Sequence, residues 1–135
     1  ISTNSFSFKY PKEWNEPITK EQSLRTTYDF TSSNLEIMVG NYYSEDLQRI
    51  RTYEEAIQDQ EKDAIGKIDI TIYGIPTKKY IHKIGESTTE AVVVLKESPT
   101  QNIWISMPFP PGADPKIFDQ ILSTFVFITN NGITE

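Results

Sequence analysis

Period-two alternation is the feature that most constrains this chain. Leu24, Thr26, Tyr28 and Phe30 are separated by Arg25, Thr27 and Asp29. Leu35, Ile37 and Val39 are separated by Glu36 and Met38, and Ile68, Ile70 and Ile72 by Asp69 and Thr71. Side chains along a β-strand point alternately to two faces, so segments written this way close one apolar face over a common core. Thr31-Ser32-Ser33-Asn34 is turn chemistry, and it predicts a hairpin between the first two segments. Tyr73-Gly74-Ile75-Pro76 reads as a tight turn or bulge before a returning strand at 78–84. The strand predicted at 89–97 carries Val92, Val93, Val94 and Leu95, which are apolar on both faces and therefore central. The last long strand, 102–109, sets Ile103, Ile105, Met107 and Phe109 on one side. Near the N-terminus, Phe6, Phe8 and Tyr10 alternate in a short strand that Pro11 ends by lacking a backbone donor.

The helical period appears twice. Thr52-Tyr53-Glu54-Glu55 fits a capping box, in which the Thr52 hydroxyl accepts from the Glu55 backbone and the Glu55 carboxylate accepts from that of Thr52. Tyr53, Ala56, Ile57, Ala64 and Ile65 share a face, and Gly66 suits a left-handed stop, which predicts a helix over 53–65. The stretch from Ser44 to Arg51 before it reads as a loop. Asp114 caps a second helix with Pro115 at its first position, and Ile117, Phe118, Ile121 and Leu122 form its stripe. Phe125-Val126-Phe127 then completes the core. Strands grouped apart from helices predict an α+β fold, an antiparallel sheet covered by helices at least partly on both faces.

A chain of 135 residues is the size of one domain. We assign 1–135 to a single domain, with 1–5 a linker stub and 129–135 a flexible tail. The polar opening Ile1-Ser2-Thr3-Asn4-Ser5 reads as the stub of a longer precursor cut after a signal peptide, lipid anchor or linker. The net charge is −6, and the basic residues are scattered, which argues against nucleic acid and against an anionic membrane surface. No cysteine is present, so thiolate chemistry, disulfides and cysteine-based zinc sites are excluded. No apolar run reaches the roughly 18 residues that would cross a bilayer as a helix.

The chemistry-bearing residues are few. His82 is the one histidine, and without cysteine partners it reads as a structural strand residue. No serine stands in a Gly-x-Ser-x-Gly elbow, and Ser123 belongs to a core-flanking segment. Glu54, Glu55, Asp59, Glu61 and Asp63 read as a solvated helix face, since no Asp-x-Asp-x-Asp-Gly calcium loop accompanies them. Trp104 falls on the strand face opposite Ile103, Ile105 and Met107. Met38, Tyr42, Tyr73 and Val94 are expected to share that second face with it. A helix over them makes them core; exposure makes them an aromatic patch for a partner. Trp104, Tyr42 and Tyr73 are the candidate partner-binding residues. No catalytic residue, metal ligand or cofactor is assigned.

Phe6-Ser7-Phe8-Lys9-Tyr10-Pro11-Lys12-Glu13-Trp14 resembles the opening of PsbP-like domains, and Ile117-Phe118-Asp119-Gln120-Ile121-Leu122-Ser123-Thr124-Phe125-Val126-Phe127 resembles their closing helix and strand. The resemblance implies an α/β/α sandwich around an antiparallel sheet, shared with the eukaryotic Ran-release factor. It implies a bacterial secreted or lipid-anchored protein at the cell surface, held by a segment outside this chain. The expectation is a non-catalytic extracytoplasmic accessory domain that binds another envelope protein, with no direct membrane insertion. The alternatives are a small-ligand or carbohydrate-binding module and a photosystem II-associated assembly factor. The long basic N-terminal arm expected of the photosynthetic members is missing here.

Overall fold

The computed structural model describes residues 6–22, 25–31, 33–40, 43–45, 47–95 and 102–127. The assigned stub at 1–5 and tail at 129–135 lie outside them. In chain order the elements are β1 (Phe6–Ser7), β2 (Ile18–Glu21), β3 (Arg25–Phe30), β4 (Leu35–Gly40), β5 (Tyr43–Ser44), β6 (Arg49–Ile50), α1 (Tyr53–Asp63), β7 (Gly66–Ile72), β8 (Ile75–Ile84), β9 (Ser87–Leu95), β10 (Asn102–Phe109), α2 (Lys116–Leu122) and β11 (Val126–Phe127).

Seven strands form one antiparallel sheet in the order β2-β3-β4-β10-β9-β8-β7. Its registers are those the alternation demands. Ile105 stands opposite Ile37 on one side and Val92 on the other, and Ile103 opposite Val94. All five are essentially without solvent exposure. β9 is central, as its two-faced apolar run predicts. The hairpin between β3 and β4 turns through Asn34 in a left-handed conformation, with Asn34 N–H donating to the Phe30 carbonyl at 2.7 Å. Tyr73 and Gly74, at φ of 50° and 79°, join β7 to β8 in a two-residue loop closed by the Ile72–Ile75 pair. Two successive residues in that region suit the right-handed twist of the flanking strands.

The two faces of the sheet are covered differently. On the first face lies a cluster of Ile37, Val92, Val94, Ile103, Ile105 and Met107, closed by Phe118, Ile121 and Leu122 of α2 and by a strap of aromatic rings. β1 pairs with β11 (Phe6 opposite Phe127), so the two ends of the described chain meet over this core. Phe8 stacks on Phe125 with ring centroids 4.6 Å apart and planes parallel to 1°. Tyr10 and Trp14 continue the strap onto Phe30. The opening and closing segments that carry the PsbP-like resemblance are therefore packed on each other, and Lys9 N–H donates to Thr124 Oγ1 at 2.9 Å. On the second face α1 packs against β8 and β9, above Tyr80, Ala91 and Val93.

This arrangement corrects the expected helix-covered α/β/α sandwich. Seven strands spaced about 4.8 Å apart make a sheet about 29 Å wide, whereas one helix spans about 10 Å. Helices of 11 and 7 residues cannot cover such a sheet. The first face is closed largely by aromatic strap residues, and among the described residues the second is left open beyond α1. The protein is mostly antiparallel sheet with two short helices.

Smaller differences have local causes. Helix α1 ends at Asp63, with Ala64 already extended, so Gly66 opens β7 instead of stopping the helix. The Ile65 N–H donates to the Ile81 carbonyl at 2.7 Å, a strand pairing that outcompetes another helical turn. β2 is exposed along its length, which explains why no alternation announced it. The segment read as a loop before α1 contains the two-residue pair β5–β6. Helix α2 starts one residue later than expected, and Asp114 Oδ1 accepts from the Lys116 backbone at 3.0 Å.

Candidate functional site

Helix α1 begins with the capping box that the sequence announces. Thr52 Oγ1 accepts from Glu55 N–H, and Glu55 Oε1 accepts from Thr52 N–H at 2.8 Å. The same carboxylate takes a two-pronged ion pair from Arg49, with both N–O distances 2.7 Å. The Arg49 hydrogen bond, followed by that of the Thr52 backbone, lowers the Glu55 pKa to about 2. The helix is tied to the sheet by polar contacts as well as by Ala56. Tyr80 Oη donates to Glu61 Oε2 at 3.2 Å, and His82 Nε2 lies 2.8 Å from Gln60 Oε1. His82 is thus engaged with the helix.

Trp104 lies on the same face, one strand beyond the helix. Its cross-strand partners are Met38 on β4 and Val93 on β9. Val93 is covered, while Trp104 and Met38 are half-buried. Two clefts meet at the indole. One, of about 380 Å³, is lined by Arg25, Glu36, Met38, Arg51, Asp59 and Asn102 among others. The second, of about 530 Å³, is bounded by Asp63, His82, Lys83, Thr89, Ala91 and Ser106. Both include Gln60 and Trp104, so they form one groove along the open flank of α1. A further cleft of about 480 Å³ lies between α1 and β7–β8, around Ile57, Ile70 and Tyr80, where Lys78 and Asp69 pair with each other at 3.1 Å.

Of the other sequence candidates, the one among the described residues is not brought to this groove. Tyr73 sits at the β7–β8 turn, 37% exposed, with its ring 6.4 Å from that of Phe127. Tyr42 lies outside the described residues. Val94, expected beside Trp104, faces the core opposite Ile103. Of the acidic helix residues, Glu55, Asp59 and Glu61 pair with Arg49, Arg51 and Lys67, while Asp63 lines the groove. Ser123 Oγ donates to the Gln120 carbonyl at 2.6 Å. Among the described residues no group of three histidine or acidic side chains is placed to hold a metal ion. No helix among them is long and apolar enough to cross a membrane.

Two charged features were not singled out from the sequence. Asp29 and Glu36 are direct cross-strand partners, and Glu36 lines the groove. Partial burial, then the hydrogen bond with Asp29, raises the Glu36 pKa. The hairpin turn after Phe30 already implies this pairing, because residues 30 and 35 face each other and 29 must then face 36. The second feature lies under α2. Lys79 Nζ is 2.9 Å from Glu90 Oε1 and 2.7 Å from Asp119 Oδ1, and the Lys79 and Glu90 side chains are each 7% exposed. Burial pulls the ammonium's pKa down, but Asp119 and Glu90 outweigh it and leave it above the ordinary lysine value.

No protein-family model and no curated protein matches this sequence. A crystal structure of a protein from Bacteroides thetaiotaomicron VPI-5482 is similar in fold. The TM-score is 0.51 at 13% identity, over 93% of this chain. This chain spans 46% of that one, and at this identity the likeness concerns the fold alone.

Proposed function

We propose that the protein is a non-catalytic binding domain whose contact surface is the groove beside α1, centred on Trp104. The observation that carries this reading is the position of the indole. A large aromatic side chain is half-buried beside Met38 on the sheet's second face, between two clefts that share it. Half-buried tryptophans offer apolar area with little conformational entropy to lose, which is why they are favoured at binding surfaces. Of the groove's acids, Asp59 is held in an ion pair with Arg51 and Glu36 in a carboxyl pair with Asp29. That use of them supports binding over acid–base chemistry. The PsbP-like resemblance of 6–14 and 117–127 supports an extracytoplasmic, envelope-associated setting.

The test is capture of envelope material, protein and glycan, from a native membrane fraction on immobilised protein. Trp104→Ala should lose the retained material while keeping the wild-type melting temperature within a few degrees. Tyr73→Ala, at the far turn, should retain it. Equal capture by Trp104→Ala and the wild type contradicts the reading.

A further inference from the structure

We propose that the groove takes an uncharged oligosaccharide, with one sugar ring stacked on the Trp104 indole. This inference rests on the reading of the groove as the contact surface, and it names what is bound. Three observations carry it.

The first is charge. The walls present Arg25, Arg51 and Lys83 against Glu36, Asp59 and Asp63, three cations against three anions. The balance holds although the whole chain carries −6. A polyanion needs an excess of cations in its site, and a polycation an excess of acids. This groove offers neither, so a neutral ligand rich in hydroxyls suits it.

The second is the mix of donors and acceptors. Around the indole stand the amides of Gln60 and Asn102 and the hydroxyls of Thr89 and Ser106, within a carboxylate and guanidinium rim. Amides and hydroxyls both donate and accept, and sugar hydroxyls do the same. The apolar C–H face of a pyranose lies flat on an aromatic ring while its equatorial hydroxyls reach outward to such groups. A groove with one platform in the middle and polar clefts on either side fits a chain of sugars better than a single one.

The third is what the groove lacks for a peptide. Trp104 is on β10, which is paired on both sides, and the free sheet edges are β2 and β7. An extended peptide would find no main-chain ladder there to extend. An amphipathic helix needs a continuous apolar trough. Among the described residues the exposed apolar groups of the groove are Trp104 and Met38, which are cross-strand partners, and Ile84, 70% exposed at the far end of β8. They form no continuous trough, since Ala91 and Val93 are covered.

The experiment is affinity gel electrophoresis of the intact chain. The gels contain a neutral β-glucan, mannan, xylan or galactan, with heparin and pectin as anionic controls. The wild type should be retarded by at least one neutral polysaccharide and by neither anionic one. Trp104→Ala should abolish the retardation, and Trp104→Phe, which keeps a ring, should weaken it by at most about tenfold. Ser106→Arg fills the cleft beside the indole without removing it and should also abolish retardation, provided it melts at the wild-type temperature. Retardation only by the anionic polymers, or equally in Trp104→Ala, overturns the inference. So does a wild type unretarded on every gel. If Trp104-dependent capture of envelope protein persists in that last case, the oligosaccharide assignment fails while the binding groove stands.

Discussion

Glu55 shows how one side chain can serve a helix twice. It completes the capping box with Thr52 and anchors Arg49 from the preceding strand pair. Its lowered pKa carries a definite sign. The folded chain binds this proton less tightly than the unfolded chain, so the interaction stabilises fully above the ordinary carboxylate range. That contribution is lost as pH falls toward about 2. Glu55→Gln should therefore melt below the wild type at neutral pH, and the gap should close as the pH is lowered through that window. A gap independent of pH in thermal melts would show that the charged cap contributes nothing. The capping role of Glu55 was legible in the sequence, because a capping box is a local pattern; its ion pair with Arg49 was not. The Asp29–Glu36 pair depends on strand register, which the hairpin turn encodes but composition does not. Lys79 was less legible still. Its neighbour Lys78 looks identical on paper, yet one faces Asp69 at the surface and the other enters the core.

At the scale of elements, the Lys79–Glu90–Asp119 cluster fastens α2 to the sheet. The helix has 7 residues and no side-chain cap, so its own hydrogen bonds hold it weakly. Lys79→Met should destabilise the protein by about 3 kcal/mol or more, since it leaves Glu90 buried without its cation. Adding Glu90→Leu should recover most of that loss, because an apolar pair of similar volume removes the stranded charge. Denaturant unfolding of the two variants checks this, and a double variant no better than the single one contradicts the account. The strands themselves were legible from alternation. Six of the seven sheet strands were read with bounds close to those observed; β2 was not, because all its side chains are exposed. The helix cover was misjudged because an amphipathic stripe tells that a helix packs, not how much sheet it hides. The terminal aromatics were recognised as core, but their pairing across the whole chain is a long-range fact that local periodicity does not contain.

The whole molecule is asymmetric about its sheet. One face is sealed by α2 and stacked rings from both ends of the described chain, and the other, among the described residues, is sealed under α1 alone. The sequence placed Trp104 on this second face but left its exposure open, because exposure depends on where the helix lies across the strands. The acidic chain leaves a charge-balanced groove exactly one strand from the helix contact, and the functional account rests on that groove being where ligands bind. The chain has two tryptophans, and they separate the two faces cleanly. Trp14 lies in the strap against Phe30, and Trp104 lies in the groove. Their indole N–H resonances can be followed independently while ¹⁵N-labelled protein is titrated with whatever fraction of envelope extract the immobilised domain retains. The account predicts that the Trp104 indole shifts in a saturable manner while the Trp14 indole stays in place. Saturable binding that moves Trp14 and leaves Trp104 untouched would contradict it.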